Sequence, residues 1–212
     1  MTVTTRVHLV RHGEVHNPDR VLYGRLPGFR VSAAGERMAL AAAEALAGRD
    51  VTLLLTSPLE RAVQTAEPIA HVLGLEPRVD ERLVESASQF EGRVVDGWRS
   101  FAVPSALRHL RNPFLPSWGE PYAETAARML AAVTDARDAA RGHEVVCVSH
   151  QLPIYVLRRY VEGRRLFHDP RRRQCALASI TTLAWHDARL ASVTYTEPAH
   201  ALVAGRASTP GA

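Results

Sequence analysis

Short apolar runs alternate with longer amphipathic stretches over most of the chain. The run at residues 6–10, with Val7, Leu9 and Val10, is short and bounded, and predicts a buried strand. Ser32 precedes the alanine-rich stretch Ala33 to Ala47, and Gly48 follows it. A serine start, good helix formers and a closing glycine predict a capped helix. Val51 to Thr56 is apolar and β-branched and predicts a second strand. Pro58 suits the first turn of a second helix running to about Leu73, with Gly74 after it. Pro68 inside that stretch predicts a kink or a break. A third helix is expected from Tyr122 to Ala140, a strand from Val145 to Val148, and a helix from Leu152 to Val161 entered through Pro153. Closing strands are expected near Ala178–Ala184 and Leu190–Tyr195.

Strands alternating with helices predict an α/β fold on a mostly parallel sheet. Residues 1–203 read as one domain, and 204–212, rich in Gly, Ser, Thr and Pro, as a disordered tail. Residues 86–121 break the pattern with Pro104, Pro113, Pro116 and Pro121 among Phe90, Trp98, Phe101, Phe114 and Trp118. A long aromatic and proline-rich insertion of this kind reads as a lid or specificity segment. Ligands of such folds bind beyond the carboxyl ends of the strands. Catalytic groups should therefore follow residues 10, 56 and 148.

They do. Arg11-His12-Gly13-Glu14 follows the first strand, Ser57-Pro58-Leu59-Glu60-Arg61 the second, and Ser149-His150 the third. In an unbroken strand, neighbouring side chains point to opposite faces. Arg11 and His12 can share a ligand only if the chain turns there, which Gly13 permits. A guanidinium beside an imidazole suggests phosphoryl chemistry. A carboxylate is available at Glu85. The spacing of His8, His12 and His16 mimics a helical metal face, but His8 lies in a strand pattern and Gly13 interrupts, so no metal site is expected.

Composition narrows the chemistry. The 212 residues are 46% hydrophobic and 23% charged, as in an ordinary soluble protein. No apolar run is long enough for a membrane span, and no secretory signal is visible. Cys147 and Cys175 are the only cysteines, so reduced thiols and a cytoplasmic location are expected. All 26 basic residues are arginine. Without lysine there is no Schiff base, no pyridoxal-phosphate site and no Walker-type phosphate loop. The net charge of +4 suits an anionic small molecule. The basic stretch Arg158, Arg164, Arg165, Arg171, Arg172, Arg173 lacks a nucleic-acid motif and reads as a solvated face.

RHGE, SPLERAVQTA, the following Leu83-Val84-Glu85 and the later VSH resemble, in order and spacing, the histidine phosphatase superfamily, in the branch similar to cofactor-dependent phosphoglycerate mutase. Gly119-Glu120 followed by Arg128 resembles that family's Gly-Glu-Ser and helix arginine. The resemblance covers residues 5–195. It implies a three-layer α/β/α fold with a mixed, mostly parallel central sheet. It implies a phosphatase that needs no cofactor and no metal. His12 would be the nucleophile, Arg11, Arg61 and His150 would hold the phosphoryl oxygens, and Glu85 would be the acid and then the base. Asn17, Tyr23 and Gly24 align with the substrate-facing loop, and Ser57 and Gln151 border the pocket. Gln151 departs from the small residue usual after the second histidine, and Ser86 to Gly92 departs from the usual aromatic-Gly-x-x-Glu-Gly run. The expected partner is a small phosphorylated metabolite, with neither nucleic acid nor membrane, and a homodimer is compatible with the sequence. Mutase-type transfer and a silent phospho-ligand module are the alternatives. The mutase reading is weakened by the missing lysine, and the silent module by the presence of every catalytic residue.

Overall fold

The computed structural model describes residues 2–94 and 119–203. Residues 95–118, most of the expected insertion, and the expected tail at 204–212 lie outside the described residues. The strands are β1 (Thr4–Arg11), β2 (Val51–Thr56), β3 (Arg78–Val79), β4 (Glu144–Ser149), β5 (Ile180–His186) and β6 (Arg189–Thr196). The helices are α1 (Ala33–Leu46), α2 (Glu60–Leu73), α3 (Tyr122–Ala139), α4 (Gln151–Val161) and the short α5 (His200–Val203).

The strands form one mixed sheet in the order β3-β2-β4-β1-β5-β6. β1, β2, β3 and β4 are parallel, and β5 and β6 add an antiparallel edge. Strand period two splits the apolar residues between two faces. Val7, Leu9, Leu55, Val145 and Cys147 pack with Met129 and Val133 of α3 and Leu157 of α4. Val10, Leu54, Val146 and Val148 pack with Met38 and Ala42 of α1 and Ala62 and Ile69 of α2. Both faces are buried, which explains why the central strands read as continuous apolar runs. The α/β fold with a mixed, mostly parallel sheet is as expected. No helix among the described residues is long and apolar enough to cross a membrane.

Three local expectations are revised. α2 begins at Glu60 with Leu59 as its N-cap. Pro58 therefore precedes the helix, in a link whose Ser57 N–H still bonds the Val148 carbonyl at 2.9 Å. α2 runs through Pro68 to Leu73 without a break, its face of Ala62, Thr65, Ala66 and Ile69 buried. Tertiary packing of that face outweighs the one lost helix hydrogen bond. β3 was not expected, because its two residues are both exposed and carry no apolar pattern. It delivers the chain to Asp80, whose N–H bonds the Thr56 carbonyl at 2.9 Å, and so to the turn before Glu85.

Candidate active site

The ladder continues past the strand ends and brings the chemistry together. Arg11 pairs with Ser149 in register, and the His12 N–H donates to the Ser149 carbonyl at 3.0 Å. Ser149 Oγ donates to the Leu83 carbonyl at 2.7 Å, tying the end of β4 to the segment that bears Glu85. Arg61 lies one residue into α2, and His150 caps α4. His12 and His150 are fully buried, with ring centroids 5.2 Å apart.

Gly13 is required for space rather than for a left-handed turn, since its φ is not positive. A Cβ there would come within 2.5 Å of the Gly35 carbonyl oxygen at the start of α1. The Gly13 N–H donates to Thr65 Oγ1 at 3.0 Å, and Thr65 Oγ1 donates to the Arg61 carbonyl at 2.7 Å. The histidine loop is thereby pinned between α1 and α2.

The Nδ1–H of His12 donates to the Gly13 carbonyl at 2.8 Å, because a carbonyl can only accept. That leaves a lone pair on Nε2, which is buried without a protein partner. Burial holds the His12 pKa well below the ordinary histidine value, and the Arg61 and Arg11 charges lower it further. Burial likewise lowers His150, helped by Arg61, His12 and Arg11. His150 Nε2 lies 2.7 Å from Ser57 Oγ. A Ser57 hydroxyl donating there leaves the hydrogen of the neutral ring on Nδ1, which is buried with no protein acceptor.

Arg61 is the bulkiest of the fully buried side chains, at 1% exposure. One NH2 group donates to the Gly24 carbonyl at 2.6 Å, and the guanidinium lies 4.7 Å from the Tyr23 ring centroid. Its Nε–H has no protein acceptor. Burying a cation this deeply costs several kcal/mol unless an anion offsets it. Arg11 donates to the Cys175 carbonyl at 2.7 Å. Glu85 is 3% exposed, with Oε1 accepting the Ser86 N–H at 2.8 Å and Oε2 buried without a partner. Burial raises its pKa, opposed by the Ser86 N–H and by Arg61, Arg173 and Arg11.

The segment before Glu85 is braced from α3. Arg128 donates to the carbonyls of Arg82 and Val84 at 2.6 and 2.8 Å and forks onto both oxygens of Glu120. Arg25 joins Glu120 to the Glu85 carbonyl.

The structure thus gathers Arg11, His12, Arg61, Glu85 and His150, with Ser57 against His150. Tyr23 is buried between Phe29, 5.1 Å away, and the Arg61 guanidinium. Gly24 presents its carbonyl to Arg61 at a φ of 42°, and a Cβ there would meet the Glu91 carboxyl. Asn17 uses its amide to close its own loop, accepting from the Val21 N–H and donating to the Val21 carbonyl. Gln151 opens α4 and lies 3.4 Å from the Cys175 carbonyl through Nε2. Sequence reasoning missed Thr65 and Arg173. The solvated-face reading holds for Arg164, Arg165, Arg171 and Arg172, but Arg158, paired with Glu162, and Arg173 are half-buried, and no periodicity marks them out. Among the described residues no cluster of His, Cys, Asp and Glu is placed to hold a metal ion.

The model for the histidine phosphatase superfamily (branch 1) matches residues 7–198. The chain belongs to that superfamily. Its relatives include an uncharacterized protein, Rv0525, of Mycobacterium tuberculosis (strain ATCC 25618 / H37Rv), 57% identical over 203 residues that cover 94% of this chain and 99% of the relative. A probable phosphoglycerate mutase, GpmB, of Yersinia enterocolitica is 31% identical over 190 residues, covering 82% and 84%. Among solved structures, mycobacterial glucosyl-3-phosphoglycerate phosphatase Rv2419c superposes with a TM-score of 0.73 at 27% identity, over 91% of this chain and 96% of that one.

Proposed function

We propose that the protein is a phosphomonoesterase acting on a small phosphorylated metabolite through a phosphohistidine intermediate. The observation that carries this reading is His12, held neutral by burial and by Arg61 and Arg11, with Nδ1–H given to Gly13 and Nε2 left as a buried lone pair. Nε2 attacks phosphorus, the bond from phosphorus to the ester oxygen breaks, and the leaving alkoxide takes a proton from Glu85. Water then attacks the phosphohistidine while Glu85 takes a proton from it, the P–N bond breaks, and phosphate leaves. Arg11, Arg61 and His150 stabilise the charge that spreads over the equatorial oxygens. Arginine suits this task because its planar fork pairs with two oxygens at once. None of these steps calls on a metal ion.

Kinship with a probable phosphoglycerate mutase favours a second reading, transfer of the phosphoryl group to another acceptor. Phosphate release across a panel of phosphomonoesters, run beside transfer to 3-phosphoglycerate, separates the two. Release faster than transfer is expected. Efficient transfer with little release would replace the phosphatase by a mutase, and neither activity would leave a binding module.

A further inference from the structure

Arg173 follows the short turn at Pro170–Arg172, in the loop that leads to Cys175 and its contact with Arg11. Its neighbours Arg171 and Arg172 are exposed, whereas Arg173 is half-buried and turned inward. Other arginines of this stretch are neutralised locally, Arg158 and Arg164 by Glu162 and Arg171 by Asp169. Arg173 forms no ion pair among the described residues. It donates instead through Nε to His168 Nε2 at 2.9 Å.

His168 is built to be that acceptor. Its Nδ1–H donates to the Leu166 carbonyl at 2.6 Å, which puts a lone pair on Nε2. The ring is buried between Tyr122 and Tyr155, at 5.3 and 4.8 Å. Burial brings its pKa down to about 4, so it stays neutral under the guanidinium. The other edge of Arg173 reaches Gln151 Oε1 at 3.5 Å, one residue beyond His150. Tyr122 and Glu85 also face its charge. A guanidinium is therefore oriented beside the reaction centre by neutral groups. Arg11, Arg61 and Arg173 all act on the Glu85 carboxyl, whose burial favours its neutral form, and Arg61 is faced by Glu91 besides. One phosphoryl group is matched by Arg11 and Arg61, which leaves the third cation in excess.

We propose that Arg173, oriented by His168 and Gln151, is a second anion-binding subsite beside the phosphoryl pocket, so that the substrate carries a carboxylate or a second phosphate besides the reacting one. This rests on the phosphatase reading. Arg173 binds the remote group directly, and His168 is a positioning residue that acts through it.

The test compares matched substrates with the full chain. 3-Phosphoglycerate against glycerol 3-phosphate probes a carboxylate, and fructose 1,6-bisphosphate against fructose 6-phosphate probes a second phosphate. The unsubstituted protein should prefer the more anionic member of at least one pair. Arg173→Gln should lose that preference by about 10- to 100-fold in kcat/KM, the range of a charge-assisted hydrogen bond, mostly through KM. His168→Phe keeps the ring packing and removes the acceptor, and should give a smaller loss in the same preference. Arg171→Gln, at the exposed neighbour, should change neither pair. Equal losses on both members of each pair, with a shifted pH profile, would make Arg173 a tuner of Glu85 and overturn the subsite. Lack of preference in the unsubstituted protein would also overturn it. No turnover of these four or of any phosphomonoester in the panel would instead overturn the phosphatase reading, and the subsite with it, whereas turnover confined to monoesters without a second anionic group would overturn the subsite alone.

Discussion

The two ends of the central sheet use the same residue types to opposite effect. Toward the amino ends of the parallel strands, the Nε2–H of His8 in β1 donates to Glu144 at 2.9 Å, and its Nδ1 accepts from Thr182 Oγ1 at 2.8 Å. Glu144, which opens β4, also takes Arg6 at 3.1 Å and Arg49 at 2.6 Å. Among the described residues no buried side-chain nitrogen or oxygen there lacks a protein partner. At the carboxyl ends of the same strands, His12 and His150 each keep one buried nitrogen without a protein partner, as do Arg61 through Nε and Glu85 through Oε2. Buried polar groups are normally satisfied, so a cluster of exceptions needs a reason. The amino end is settled by folding. In the proposed function, the carboxyl end is completed by the substrate, which supplies the missing acceptors and donors.

That contrast makes the carboxyl end sensitive in activity and the amino end sensitive in stability. The largest effect is expected for His12→Ala, which should lower phosphomonoester turnover by roughly 10⁵-fold or more, as loss of a nucleophile does. Turnover within tenfold of the unsubstituted protein would remove His12 from the chemistry. Glu85→Gln should cost about 10²–10⁴-fold on alkyl phosphates, the usual worth of general acid–base help. It should cost far less on p-nitrophenyl phosphate, whose leaving group barely needs a proton. Burial raises the Glu85 pKa, so the acid is present below that value and lost as pH rises through it. The alkaline fall in kcat on alkyl phosphates should therefore disappear in Glu85→Gln, and its persistence would assign the limb to another group. Arg61→Ala should lower kcat by about 10²–10³-fold, the effect of deleting one transition-state donor. A change confined to KM would make Arg61 a ground-state contact only.

The smallest effect belongs to the amino end. Glu144→Gln should destabilise by about 2 kcal/mol in urea unfolding, below the value for a fully buried pair because Arg6 and Arg49 are 42% and 37% exposed. Its partners hold the Glu144 pKa below the ordinary value, so its stabilisation is complete above the unfolded carboxylate pKa and vanishes as pH falls through the folded one. The two proteins should converge in acid. Turnover should stay within about twofold, and a larger loss would break the division of labour between the two ends.

The fold was legible where pattern and period agree. β1, β2 and β4 are apolar on both faces, and Ser32 and Gly74 cap their helices as their chemistry requires. β3 was illegible because two exposed residues carry no pattern, and the course of α2 through Pro68 is decided by packing that a local signal does not contain. The strand-end rule located Arg11, His12, Arg61 and His150, because ladder geometry carries their segments to one edge, whereas Glu85 arrives through the turn after β3 that Arg128 braces. Gly13 was legible as a necessity but not in its reason, since the approach of Gly35 is a tertiary fact. Arg173 was hidden inside a charged run, where only the folded chain separates one inward guanidinium from its solvated neighbours.

In the proposed mechanism Nε2 of His12 carries the phosphoryl group. The most direct measurement quenches the Glu85→Gln protein in alkali during turnover of p-nitrophenyl phosphate and sequences the phosphopeptides by mass spectrometry, with phosphorus NMR to identify the nitrogen. The expected result is one phosphoryl group on His12, on Nε2, stable in base and lost in acid, and absent after His12→Ala. A label on Nδ1, on another residue, or no label during a burst of nitrophenol release would exclude Nε2 of His12 as the nucleophile.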